Sequence, residues 1–355
     1  MELTQEHSIL QTNIRRFVVK EVEPRAAKID QENHFPEEMI SKIADLGLFG
    51  VLIPEQYGGF GFDTRSLVIT LEEIARSSGS LALVLAAHNA LAAATILAGT
   101  SEEMKRKYLP LLGAGSKIGG ACNQDYVNVK IDGDALWGAE RVAFNGARAD
   151  VIIFKAVCGD GLVRRVANTP KGVLRLEPRD DLLGMRGAGI AAAVFDGVAL
   201  NKTEDVAPSD EMANVEGLFW LALASIAVGI NQGALEAAIK YSKERKQFGQ
   251  AICCYDMVQD MLAEMATRTH AARLMVFDGA DRRDAGKPFV KEALMSKAFA
   301  TQSASYNTRL GVQIHGGYGY IKDYAIERMF RDAKVTEVLG GTTETHRLNL
   351  AKSLL

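Results

Sequence analysis

The feature that most limits the fold is a change of period along the chain. Apolar residues recur at helical spacing through both ends of the 355 residues, and β-branched runs interrupt that spacing near the middle. At the N-terminal end Ile9, Ile14, Phe17 and Val18 mark a helix that Val22 and Pro24 are expected to stop. Pro36-Glu37-Glu38 opens a second helix, which Gly47 to Gly50 close. An Ala/Leu-rich helical stretch follows from Ser66 to Ala98, with room for a break at Ser77 to Ser80. Ser101-Glu102-Glu103 then caps a helix expected to end at Pro110. The runs Val127 to Ile131, Val151 to Phe154, Gly172 to Leu176 and Ala193 to Phe195 are separated by turn signals such as Asn145-Gly146. They predict a small antiparallel sheet. Helical spacing returns over Met212 to Arg245, Tyr255 to Gly286, Lys291 to Gly311 and a final segment. The expectation is an α+β chain in three parts: a helical domain over 1–115, a shortened β domain over 116–204 and a helical bundle over 205–355.

Several function classes fall away on composition. Lys+Arg number 41 against 44 Asp+Glu, a net charge of −3, so no positive field exists to hold a nucleic acid. The most apolar run, Leu218 to Ile230, is shorter than the roughly 20 residues of a membrane span, and reads as a buried core helix. The opening residues are acidic and polar, with no basic region ahead of an apolar one, so a cytoplasmic location without a membrane span is expected. Cys122, Cys158, Cys253 and Cys254 lack zinc spacing, and the six histidines are scattered, so no metal site is expected. Gly184 to Gly189 has the wrong spacing for a dinucleotide loop. Asp278, Asp281, Arg282, Arg283 and Asp284 read as a solvated helical face, and Trp137 reads as a strand core residue.

Some short strings carry more. They include Tyr241 to Gly249 (Y-S-K-E-R-K-Q-F-G), Gln313 to Tyr320 (Q-I-H-G-G-Y-G-Y), Arg331-Asp332-Ala333-Lys334 and Gly341-Thr342-Thr343-Glu344. Ile53 to Gly59, His88-Asn89, Lys107 to Pro110, Leu183 to Gly187 and Val194 to Val198 join them. In order and spacing they resemble the acyl-CoA dehydrogenase family across nearly the whole chain. That resemblance implies an N-terminal helical domain, a middle β-sheet domain and a C-terminal four-helix bundle. It also implies FAD as cofactor, an acyl-CoA substrate, a tetramer, and an electron-transferring flavoprotein as acceptor. Family chemistry needs a carboxylate to take the α-proton, a flavin to take the β-hydride, and donors on the thioester carbonyl.

Carried over residue by residue, Arg245, Phe248, Gln313, Gly316 and Gly317 match positions that meet the FAD of a neighbouring subunit. Thr342 and Glu344 match positions facing the subunit's own FAD. The base is missing. Its usual position is Gly340, which keeps only a backbone N–H, and the alternative position falls at about Phe219, followed by Trp220. Glu216, one helical turn earlier, is the remaining candidate acid, with helix N-terminal stabilisation as its simpler role. The loop expected to hold flavin and CoA is replaced by Ala121-Cys122-Asn123-Gln124-Asp125-Tyr126, and Val142 to Gly146 puts Phe144 where a threonine is usual. His315 is read as packing or as a proton carrier. Three readings stay open: a subunit of a homo- or hetero-tetramer that completes a catalytic sister's FAD site, a working flavoenzyme with another base or base-independent chemistry, and a scaffold without ligand.

Overall fold

The computed structural model describes residues 3–122, 127–169, 174–207 and 211–355. Helix α1 (Gln5–Phe17) begins at Thr4, whose hydroxyl accepts from the His7 N–H, and passes through a π turn at Val18–Val22 into α2 (Glu23–Glu32). The stop expected at Val22 and Pro24 is therefore absent. Pro24 falls in the first turn of α2, and the wider π turn before it gives the ring room. Helix α3 (Glu37–Asp45) follows Pro36 as expected. Helix α4 (Thr64–Ala75) is capped by Asp63, and α5 (Gly79–Ala86) by Ser78 at the predicted break. A second π turn, Ala87–Ala93, leads into α6 (Ala94–Gly99). Helix α7 (Glu102–Gly113) starts at Ser101 and runs past Pro110 by one turn, so the stop expected there is absent, and Pro110 forgoes its own helical N–H bond.

The sheet strands are β1 (Gly119–Cys122), β2 (Lys130–Asp132), β3 (Ala135–Phe144), β4 (Val151–Cys158), β5 (Gly161–Asn168), β6 (Arg175–Pro178), β7 (Ala191–Ala199) and β8 (Thr203–Val206). Their order is β6-β7-β3-β1-β4-β5-β8, with β2 set against β3 and β4. The sheet is mixed, which corrects the antiparallel expectation. Strand β1 enters from the helical layer between β3 and β4 and runs parallel to β4, pairing Gly119 with Val151. Trp137 is corrected too. Its ring is 47% exposed and lies over Gly197, where an added Cβ would sit 3.2 Å from the indole.

Helices α8 (Glu211–Glu244), α9 (Asp256–Asp284), α10 (Val290–His315), α11 (Ile326–Val338) and α12 (Thr343–Leu354) complete the chain. Residues 79–99 and Glu211–Glu244 are apolar and long enough to cross a membrane, yet 89% and 78% of their most apolar windows are buried against the other helices. They are core. Asp278 to Asp284 is less solvated than its composition suggests. Asp284 accepts from the Thr64 and Arg65 N–H groups, Arg65 pairs with Asp281 at 2.5 Å, and Arg283 donates to Thr64 Oγ1, so the end of α9 caps α4.

Buried polar groups stitch the parts together. His88 Nδ1 accepts from Gly119 N–H at 3.1 Å, and Asn145 Nδ2 donates to Val84 O and Gly119 O. Gly119 is required there, since an added Cβ would stand 2.6 Å from Ala92 Cβ. On the other side Arg331 holds Asp30 and the Leu183 carbonyl, while Asp332 accepts from Met185 N–H.

Candidate functional site

Two groups of predicted residues lie in different places. The first is at the end of α8, where Arg245 N–H still bonds Tyr241 O before the chain turns through a hairpin, β9 (Lys246–Gln247) and β10 (Gln250–Ala251). The hairpin turn is Phe248-Gly249, with φ +49° and +87°, a left-handed pair suited to a two-residue loop. Phenylalanine pays about 1 kcal/mol for that conformation, and its ring is 94% exposed. The turn therefore holds an exposed apolar side chain on a left-handed backbone. Tyr255 Oη donates to Gln247 O and Ile252 N–H to Arg245 O, which hold the hairpin in place.

Against this hairpin the end of α10 closes an open cleft of about 550 Å³, lined by Tyr241, Arg245, Ile314, Gly316, Gly317 and Tyr318 among others. Gly316 ends α10 at φ +58°, and a Cβ added at Gly316 or Gly317 would meet no atom, so the backbone there faces open space. Gln313 is exposed on the last turn. Arg245 is exposed, pairs with no carboxylate among the described residues, and stands 5.6 Å over the Tyr318 ring. His315 is a packing group. It stacks on Tyr241 at 4.3 Å, bonds the Gly311 carbonyl through Nδ1 at 2.8 Å, and burial pushes its pKa down.

This donor set fits part of a dinucleotide. A free guanidinium, a carboxamide and approachable backbone suit phosphate and sugar oxygens, and the exposed rings suit a base. The cleft opens outward to solvent along one side.

The second group surrounds the turn between α11 and α12. Gly340 has φ +66°, and an added Cβ would lie 2.7 Å from Leu223 Cδ1 and 3.3 Å from Phe219 Cε1. The two positions where sequence comparison seeks a base therefore touch one another, and both are apolar. Phe219 in turn meets Phe144 at 5.3 Å. Trp220 Nε1 donates to Gly340 O at 2.9 Å, and Lys297 Nζ donates to Glu337 O and Gly341 O, so side chains pin both carbonyls of the turn. His346 packs edge-on to Trp220 at 5.1 Å and is held neutral, its pKa pushed down to about 4 by burial and by Lys297. Thr342 caps α12 by accepting from Thr345 N–H. Glu344 is exposed beside it, its carboxyl held below the usual range by its own backbone N–H and the Thr342 hydroxyl.

Glu216 does not join this group. Its Oε1 is bonded by Arg164 at 2.6 Å and Lys155 at 3.1 Å, so the carboxylate is committed to the sheet domain. Residues 123–126 of the altered loop lie outside the described residues, and Ala121 and Cys122 are buried in β1. The sequence reading missed Lys297 and the Phe144–Phe219 contact. Lys297 had a signal: Ala293, Ala300, Thr301 and Ala304 share its helical face, and a lysine among small residues points inward.

Profiles described as "Acyl-CoA dehydrogenase, N-terminal domain" and "Acyl-CoA dehydrogenase, C-terminal domain" match residues 4–116 and 221–355. An acyl-CoA dehydrogenase of Bacillus subtilis (strain 168) is 34% identical over 379 aligned positions, covering 100% of this chain and 99% of its own. An acryloyl-CoA reductase (NADH) of Anaerotignum propionicum is 33% identical, over 99% of this chain and 95% of its own. The structure of butyryl-CoA dehydrogenase from Megasphaera elsdenii superposes with a TM-score of 0.93 at 26% identity, covering 100% and 99% of the two chains. An alignment of 379 positions for a chain of 355 leaves segments of that relative without a counterpart here.

Proposed function

The chain belongs to the acyl-CoA dehydrogenase family, and from that premise we propose that it is a flavoprotein subunit that completes an FAD site lodged in a neighbouring subunit while lacking a base of its own. It acts in acyl-CoA oxidation as part of an assembly, with a catalytic sister chain supplying the carboxylate. Flavin, when bound, supplies the acceptance of hydride from the acyl β-carbon. What this chain supplies is position and charge. The free Arg245 guanidinium suits a pyrophosphate oxygen, Gln313 suits a sugar or base edge, and Gly316 and Gly317 let backbone come close. Phe248 offers an apolar plate from a strained turn.

The observation that carries the reading is the contact between Gly340 and Phe219. A proton at an acyl α-carbon has no acceptor at either customary position, and the nearest sequence candidate, Glu216, is neutralised by Lys155 and Arg164. A carboxylate already bonded by two cations of the sheet domain is not free to reach an acyl α-carbon. This weighs against the reading in which the chain works alone with Glu216.

The test is to purify the chain alone and together with a catalytic acyl-CoA dehydrogenase chain, and to measure flavin per polypeptide and acyl-CoA dehydrogenation. Flavin retention and turnover are expected only in the mixed assembly, with Arg245→Ala lowering its flavin affinity by about tenfold or more. A lone chain that is fully loaded with flavin and turns over acyl-CoA would overturn the proposal.

A further inference from the structure

A second cleft, of about 620 Å³, lies on the far side of the Tyr241–His315 wall, between α1–α2, the end of α4, the C-terminal third of α8 and the start of α11. Its charges are unevenly placed. On the floor Arg328 is 9% exposed, and its guanidinium makes one hydrogen bond, to Ser77 O at 3.3 Å. No carboxylate comes within ion-pairing distance of it among the described residues. Asp332 is a buried acid that feels the Arg328 charge at longer range, but its carboxylate makes its hydrogen bond to Met185 N–H. Arg76 also lines the floor. Its terminal nitrogens are bonded to Glu73 and Glu236, but its Nε is buried and without a partner.

Several other partly buried arginines are paired with carboxylates. Arg331 is gripped by Asp30 and Glu327, Arg273 by Glu72, and Arg165 by Asp205. Arg328 is different. A guanidinium removed from water without a carboxylate costs free energy unless an anion reaches it. Two lysines, Lys240 and Lys322, stand exposed at the rim with no ion pair among the described residues, and the rim acids Glu23, Glu244 and Asp323 are in water, where their repulsion is screened. Tyr324 and Met329 add apolar wall. A floor of arginine donors under a partly apolar rim, in a volume within the usual range for small-molecule sites, has the build of an oxyanion pocket.

We propose that this cleft binds a small organic oxyanion, a carboxylate or a phosphate, with Arg328 and the Arg76 Nε as floor donors and Lys240 and Lys322 closing on it from the rim. The site is separate from the Arg245 cleft and does not depend on the flavin reading.

The experiment is the thermal unfolding midpoint of the full chain, titrated with acetate, inorganic phosphate or chloride at matched ionic strength. A ligand that binds only the folded chain raises the midpoint saturably. Acetate or phosphate, or both, should do so where chloride does not, and the comparison identifies which oxyanion geometry the floor accepts. Arg328→Gln should weaken the effect by about tenfold or more. Should that variant fail to fold, Lys240→Gln combined with Lys322→Gln, both on exposed positions, should weaken it by about threefold or more. No saturable rise beyond chloride would overturn the proposal. So would a rise that the rim double variant leaves unchanged.

Discussion

Restoring a glutamate at position 340 tests whether the base has been replaced by packing. The Gly340 backbone is left-handed at φ +66°, which costs a non-glycine residue about 1 kcal/mol, and the new Cβ would start 2.7 Å from Leu223 Cδ1. Forcing further side-chain atoms into that space costs about 1–3 kcal/mol of overpacking. Gly340→Glu should therefore lower stability by about 2–4 kcal/mol, before any penalty for burying its carboxylate. Phe219→Ala, which removes the ring beside the added Cβ, costs about 3–5 kcal/mol alone through its cavity. Because the new glutamate can occupy that cavity, the double variant should be more stable than additivity allows, by about 1 kcal/mol or more. Urea unfolding of the four proteins, followed by far-ultraviolet circular dichroism, measures the cycle. A Gly340→Glu protein as stable as the parent, or a strictly additive double variant, would refute the reasoning.

Two pH effects should accompany it. His88 is fully buried, and burial pushes its pKa down to about 3. The unfolded imidazole takes its proton near 6.5, so His88's share of stability is complete above that pH. It is lost on acidification at up to about 1.4 kcal/mol per pH unit, and His88→Gln, which keeps an acceptor for Gly119 N–H, should flatten that acid limb in urea midpoints measured from pH 7 to pH 4. Asp332 has the opposite sign. Burial lifts its pKa from 3.8 to about 6 against the pull of Met185 N–H and Arg328, so the folded chain holds that proton more tightly and its ionisation weakens the fold as pH rises between those values. Asp332→Asn should gain about 1–3 kcal/mol more at pH 7 than at pH 4, and an equal effect at both pH values would contradict this.

The layout of the chain was readable because period is local. Helical spacing, the cap at Ser101, the break at Ser78 and the Asn145-Gly146 turn all act within a few residues, and the structure has them where the spacing puts them. Contacts made across long sequence separations were not readable. The parallel pairing of β1 with β4, the capping of α4 by Asp284 and the ion pairs that occupy Glu216 each join segments that sequence pattern treats separately. Charge counting made Asp278 to Asp284 look solvated because the partner groups lie on α4. The site was half readable. Arg245, Phe248, Gln313 and Gly316 stand in continuous strings, and the fold brings those strings to one cleft. That Gly340 and Phe219 are neighbours, and that Trp220 fills in behind them, follows only from how α8 passes the turn before α12.

The most direct measurement is deuterium uptake from solvent at the α-carbon of an acyl-CoA, catalysed by the lone chain supplied with FAD. Uptake no faster than the uncatalysed exchange is the expected result, with exchange appearing when the catalytic sister chain is added. Fast uptake by the lone chain would show that it holds a working base, and the reading built on Gly340 and Phe219 would be wrong.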